Sequence, residues 1–151
     1  MFENYADYEA SYIGLFDVGM PEPPVPLLES YYSRDVSPQQ TVLENTDYYV
    51  VLELRANNSV TAPDHLVTQL EFLASVRYLS ENCPGSQQRE DLRRLERDFL
   101  EHHILNWITA AQKRILDLQP PAFPAMILLL SQFLRNRHES LSSDIHLESE
   151  I

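Results

Sequence analysis

The stretch from Ser86 to Leu118 constrains this chain more than any other. Leu92, Leu95, Phe99, His103, Trp107, Ala111, Ile115 and Leu118 recur at steps of three and four residues. That spacing puts them on one stripe of a long helix, which has to be buried against other helices. On the rest of its first half, Arg89, Arg93, Arg94 and Arg97 alternate with Glu90, Asp91, Glu96, Asp98 and Glu101. This is a solvated face laced with i,i+4 pairs, not a basic stripe for nucleic acid. The 151 residues hold only three glycines, which argues against a turn-rich sandwich or barrel. Eight Tyr, six Phe and one Trp supply a real core, so the chain is not mainly disordered.

Helical patterning extends on both sides. Tyr5, Tyr8, Tyr12, Leu15 and Phe16 predict a first helix over residues 2–16. Five prolines between residues 17 and 38 then forbid a continuous helix and predict an extended connection, with a short turn around Leu27–Tyr32. Ser37-Pro38 reads as a cap and first position, opening a helix to about Ala56 that Asn57-Asn58 stop. Pro63-Asp64 opens the next, with Asp64 as N-cap, and Asn82-Cys83-Pro84-Gly85 closes it. Beyond Pro120-Pro121 a last apolar helix runs from Phe123 to Arg137. The expected architecture is all-α, a single bundle of about five helices over residues 1–137, followed by an acidic, disordered tail over 138–151.

Charge is distributed unevenly. Residues 1–64 carry 11 acids and two bases, residues 65–137 eight acids and nine bases, and residues 138–151 four acids and neither Lys nor Arg. The net charge of −12 argues against a phosphate-gripping surface and disfavours an anionic membrane. The acidic first block either solubilises the surface or receives a basic partner. The longest apolar run, Ala125 to Leu130, is far too short to span a bilayer. The N-terminus shows no secretory signal, and Cys83 as the single cysteine allows no intrachain disulfide. The expected location is the cytoplasm.

Candidate chemistry is sparse. His102 and His103 point about 100° apart on a helix and cannot share a ligand face. His103 lies on the apolar stripe and reads as a hydrogen-bonded core histidine. Cys83 has no activating motif beside it, and Gly14, Gly19 and Gly85 are too scattered to cradle a phosphate. Asp64-His65, an acid and an imidazole at a helix start, reads either as a plain cap with a surface histidine or as a peptide-binding pair, since a helix N-terminus favours neutral imidazole.

Four motifs in order resemble the TorD/DmsD/NarJ family of redox-enzyme maturation chaperones. Tyr12-x-x-Leu15-Phe16 is similar to its YxxLF pattern, and Pro26-Leu27-Leu28-Glu29-Ser30-Tyr31-Tyr32 to PPYESVY. Pro63-Asp64-His65-Leu66 with Leu70-Glu71-Phe72-Leu73 resembles PDHL…ELEFM, and Phe99-Leu100-x-x-His103-Ile104-x-x-Trp107 resembles FLxxHLxxW. The chain departs from these patterns at Leu27, Leu28 and Ile104, and Gln69 stands where the family usually has Glu. Family members usually carry roughly 50 more residues before the first motif, so relative to them the fold is shortened at the N-terminus.

The resemblance implies a cytoplasmic assembly chaperone rather than an enzyme, with no cofactor or metal of its own. Its partner is the catalytic subunit of a molybdopterin-containing oxidoreductase, its twin-arginine signal peptide, or both; the chaperone aids cofactor insertion and holds back export. The peptide-binding residues it implies are Asp64 and His65, with Pro63, Pro26, Glu29, Tyr31 and Tyr32 forming part of the groove. Two other readings compete with it: a small metal-dependent hydrolase using His65, His102 and acidic neighbours, and a helical adaptor for an unrelated peptide. The short N-terminus also predicts an apolar face covered by a second copy, hence a homodimer.

Overall fold

In the computed structural model, which describes residues 4–53 and 61–148, the Ser86–Leu118 stripe folds as one continuous helical rod. It consists of α5 (Ser86–Phe99), a π turn (Leu100–Ile104) and α6 (Leu105–Leu118). In that turn the Leu105 N–H reaches back five residues to the Leu100 carbonyl. The turn advances the buried stripe so that adjacent pairs, Leu100 with Phe99 and Ile104 with His103, all face inward. The rod ends at Gln119, whose left-handed backbone (φ 49°) precedes Pro120-Pro121.

The other elements pack around this rod. Helix α1 (Tyr5–Tyr12) runs into a π turn (Ile13–Asp17) that buries Leu15 and Phe16. The proline-rich connection is extended as expected, and it contributes to the core by burying Val25, Pro26 and Leu27. Its Val25 N–H donates to Leu15 O at 2.9 Å. Gly19 permits the tight bend that starts it, because a Cβ there would lie 1.9 Å from the Glu22 carbonyl oxygen. One turn of helix, α2 (Glu29–Tyr32), follows. Helix α3 (Pro38–Val51) starts at Ser37, whose hydroxyl accepts from Gln40 N–H. Helices α4 (Leu66–Asn82) and α5 form one antiparallel pair, and α6 with α7 (Phe123–Glu148) forms another. No strand is present among the described residues beyond one antiparallel bridge, Leu28 with His65.

An all-α bundle was expected and is observed. Counting the α5–α6 rod as one, the described residues hold five long helices and the single turn α2. Three boundaries differ. Helix α3 ends at Val51 rather than near Ala56, with Glu53 at φ 55°; the expected stop at Asn57-Asn58 lies outside the described residues. Asp64 is not the N-cap of α4, because His65 takes that position. The expected change from bundle to disordered tail at residue 137 falls inside α7, which continues to Glu148.

The physical reason for the last difference is Leu141, which is 0% exposed and belongs to the core cluster. A sparse apolar pattern, Leu134 then Leu141, sufficed because the residues between them can stay at the surface. Deleting residues 138–151 should therefore destabilise the protein by several kcal/mol, and Leu141→Ala alone by about 2–5 kcal/mol. Thermal melts of both variants test this, and an unchanged midpoint would remove Leu141 from the core.

Candidate functional site

The residues of the Pro26–Tyr32 and Pro63–Leu66 motifs meet in space. Leu66 N–H donates to Leu27 O at 2.9 Å, and Glu29 N–H to Asp64 O at 3.0 Å. The Asp64 carboxylate is 1% exposed and accepts from Ser30 N–H at 3.1 Å. An acid at the first turn of α2 satisfies a backbone donor that the short helix leaves without a partner. Asp64 thus anchors α2 rather than α4. Pro63 contributes its carbonyl, which accepts from the Tyr49 hydroxyl at 2.5 Å.

This anchoring drives the Glu29 side chain into the centre of the bundle. Glu29 is 5% exposed, and three elements converge on its carboxylate. Oε2 accepts from Asn45 Nδ2 at 2.9 Å and Gln69 Nε2 at 2.6 Å, while His103 Nδ1 stands 3.0 Å from Oε1. An ionised carboxylate only accepts, so Nδ1 carries the proton in this arrangement. Asn45 Nδ2 lies 3.2 Å from the same Nδ1, a contact between two donors that both aim at Glu29. The second Asn45 amide proton goes to Thr41 O at 3.0 Å. Gln69 also donates to Asn45 Oδ1 at 2.9 Å and accepts from Trp107 Nε1 at 3.2 Å. Five side chains from α2, α3, α4, the π turn and α6 are thereby tied together.

His65 is half-buried, and its Nδ1 accepts from Val67 N–H at 3.1 Å. Burial lowers its pKa below the usual 6.5; Asp17 and Asp64 pull the other way but less strongly. The cap needs an unprotonated Nδ1, so geometry and burial both favour neutral imidazole.

Beside the Leu28–His65 bridge lies an apolar groove of about 210 Å³. It is lined by Tyr8, Tyr12 and Phe16, by Leu27, Leu66 and Ile115, and by Phe123, Met126, Ile127 and Leu130 of α7. Tyr31 and Tyr32 of α2 do not line this groove; Tyr32 lines a second pocket together with Trp107. Tyr32 stacks on Trp107 with centroids 5.4 Å apart, and burial pushes its hydroxyl up to about 12. The Tyr31 hydroxyl donates to Glu22 at 2.6 Å and accepts from Arg114 at 2.5 Å.

The expected site residues therefore divide. Pro26, Glu29 and Asp64 are buried, whereas Pro63, His65, Tyr31 and Tyr32 are partly exposed. His103 is a hydrogen-bonded core histidine, as the stripe predicted. Sequence reasoning missed Asn45, Gln69, Glu22 and Arg114. The spacing of Thr41, Asn45 and Tyr49, polar residues at i, i+4 and i+8, was the available signal for Asn45.

The model of the nitrate reductase delta subunit family matches residues 3–112 of this chain. The chain belongs to that family. Over 110 residues it is 32% identical to the selenate reductase assembly chaperone protein of Thauera selenatis, covering 71% of this chain and 56% of that relative. The chlorate reductase assembly chaperone protein of Ideonella dechloratans is 30% identical over 110 residues with the same coverage. The perchlorate reductase assembly chaperone protein of Dechloromonas aromatica (strain RCB) is 24% identical over 159 residues, covering 96% of this chain and 62% of the relative. This chain thus spans little more than half the length of these relatives. No solved structure matches it. The family match runs through α1 to α6 and includes the whole Glu29 network.

Two outcomes follow. Glu29→Ala leaves two amides and an imidazole N–H without their acceptor, so it should cost about 3–5 kcal/mol. Glu29→Gln, which keeps the shape, should cost less. Urea midpoints of the parent and the two variants measure this, and a Glu29→Ala midpoint equal to the parent's would mean that the network is dispensable. The second concerns pH. Because the folded His65 has the lower pKa, the unfolded chain takes up the proton first as pH falls. Stability linked to His65 is present above 6.5 and declines below it. In His65→Asn, which can still cap, this part of the decline should vanish from melts taken between pH 7.5 and 5.5.

Proposed function

We propose that this chain is an assembly chaperone that binds the catalytic subunit of a molybdopterin-containing oxidoreductase and receives its twin-arginine leader. The observation that carries this reading is convergence. Tyr12 and Phe16, Leu27, and Leu66 come from three separate family motifs and line one apolar groove. A leader peptide offers an apolar stretch that suits such a groove, laid in as an extended or helical segment. Relatives similar over 71–96% of this chain are named as assembly chaperones of selenate, chlorate and perchlorate reductases.

In this reading the motif residues have two tasks. Glu29, Asp64 and Pro26 are buried, and they fix the position of α2 and the groove lining without touching the peptide. His65, Pro63, Tyr31 and Tyr32 lie at the surface around that frame and make the contacts. Neutral His65 offers Nε2–H to a peptide carbonyl while Nδ1 remains committed to Val67. The site works in the cytoplasm, before export of the client. The chaperone performs no chemistry itself.

The hydrolase reading loses its constellation. His102 Nδ1 bonds the Asp98 carbonyl at 2.8 Å on α5, and His65 caps α4. Among the described residues no three His, Cys, Asp or Glu side chains stand close enough together to hold a metal ion. Nor is any helix among them long and apolar enough to cross a membrane.

Affinity purification of the tagged chain from its own host, followed by mass spectrometry, tests the proposal. A large oxidoreductase subunit should be recovered in near-stoichiometric amount, and more of it when its cofactor is withheld. Recovery of no such subunit under conditions that induce the reductase would overturn the reading.

A further inference from the structure

The frame around the groove contains one feature that the assembly role does not explain. Glu22 is held in a stiff run between Pro21 and Pro23-Pro24, and its exposed carboxylate accepts from the Tyr31 hydroxyl at 2.6 Å. The guanidinium of Arg114 lies over the Tyr31 ring, 4.9 Å from its centroid, and donates to the same hydroxyl at 2.5 Å. A π face, a hydroxyl acceptor and a carboxylate together are what a guanidinium seeks. Arg114 directly precedes Ile115, and Tyr31 follows Leu27 by one turn; both of those neighbours line the groove, so the cluster lies beside the groove without lining it. The buried Asp64, fully engaged with α2, is not available to a charged ligand.

We propose that Tyr31 and Glu22 form an arginine seat, which Arg114 fills in the free protein and which an arginine of the leader takes over on binding. The inference rests on the leader-binding reading. Exchange is favourable because Arg114 reaches Glu22 through the Tyr31 hydroxyl, whereas an arginine arriving from solvent can pair with the exposed carboxylate directly and in bidentate form. Arg114 thereby acts as a stand-in that keeps the seat shaped and sets the threshold for a true leader. A peptide with an apolar stretch but no arginine would enter the groove without displacing it.

The test uses two synthetic leader peptides, one with two consecutive arginines before an apolar stretch of roughly ten residues, the other with lysines in their place. Each is titrated calorimetrically into the parent protein and into Arg114→Gln, whose melting temperature is measured alongside to show that it is folded. The arginine peptide should bind Arg114→Gln roughly threefold or more tightly than the parent, with a smaller gain for the lysine peptide. Glu22→Gln should weaken the arginine peptide. Equal affinity for parent and Arg114→Gln, or the same gain for both peptides, would overturn the seat while leaving leader binding intact. Binding of neither peptide to either protein would overturn the leader-binding reading itself, and the seat with it.

Discussion

A carboxylate at the centre of a helical bundle has to be matched by donors on every side, and Glu29 sets that condition for the whole fold. Leaving a buried charge unpaired costs far more than any single packing contact returns. The chain supplies Asn45 from α3, Gln69 from α4 and His103 from the π turn, and each residue reaches Glu29 only if its helix has the correct rotation and height. The network therefore acts as a register lock among elements that would otherwise slide on apolar contacts. It also explains Gln69. With Glu29 at 2.6 Å, an amide donates, whereas a second carboxylate would need a shared proton. Trp107, bonded to Gln69 Oε1, carries the lock into α6.

The helical elements were legible where the pattern was periodic and strong. The long rod, α1, the cap at Ser37 and the end of α4 all follow from spacing and punctuation that operate within a few residues. The π turn at Leu100–Ile104 was not legible, because a one-residue insertion into a stripe leaves the three- and four-residue steps intact. The tail was misread for a related reason. Its composition is polar and acidic, but one buried residue, Leu141, outweighs composition when it sits in phase with Leu134.

The site was legible in membership but not in role. The motifs named Glu29, Asp64 and His65, yet nothing local in the sequence shows that Asp64 caps α2, thirty-four residues earlier in the chain, rather than α4 beside it. A cap is ordinarily assigned to the next helix because the interaction is short-range. Here the Leu28–His65 bridge brings a distant helix nearer to the Asp64 carboxylate than its own, and hands the local cap to His65. Non-local pairing of this kind depends on tertiary packing, which spacing cannot encode.

That reassignment changes how the acidic first block should be understood. Its carboxylates are not equivalent. Glu29 and Asp64 are consumed by the frame, where hydrogen-bond donors satisfy their oxygens and burial hides them from any ligand. Asp17 and Glu22 remain exposed, at the end of the first π turn and on the proline-rich segment. Long-range attraction for positive charge then comes from the exposed acids, screened over about 8–10 Å at physiological salt, while shape comes from the buried ones. The two functions can vary separately: a surface acid can move or change without disturbing the fold, whereas a change at Glu29 is felt by donors on three other elements. A groove built on this division keeps a fixed apolar lining while the charge around it can change.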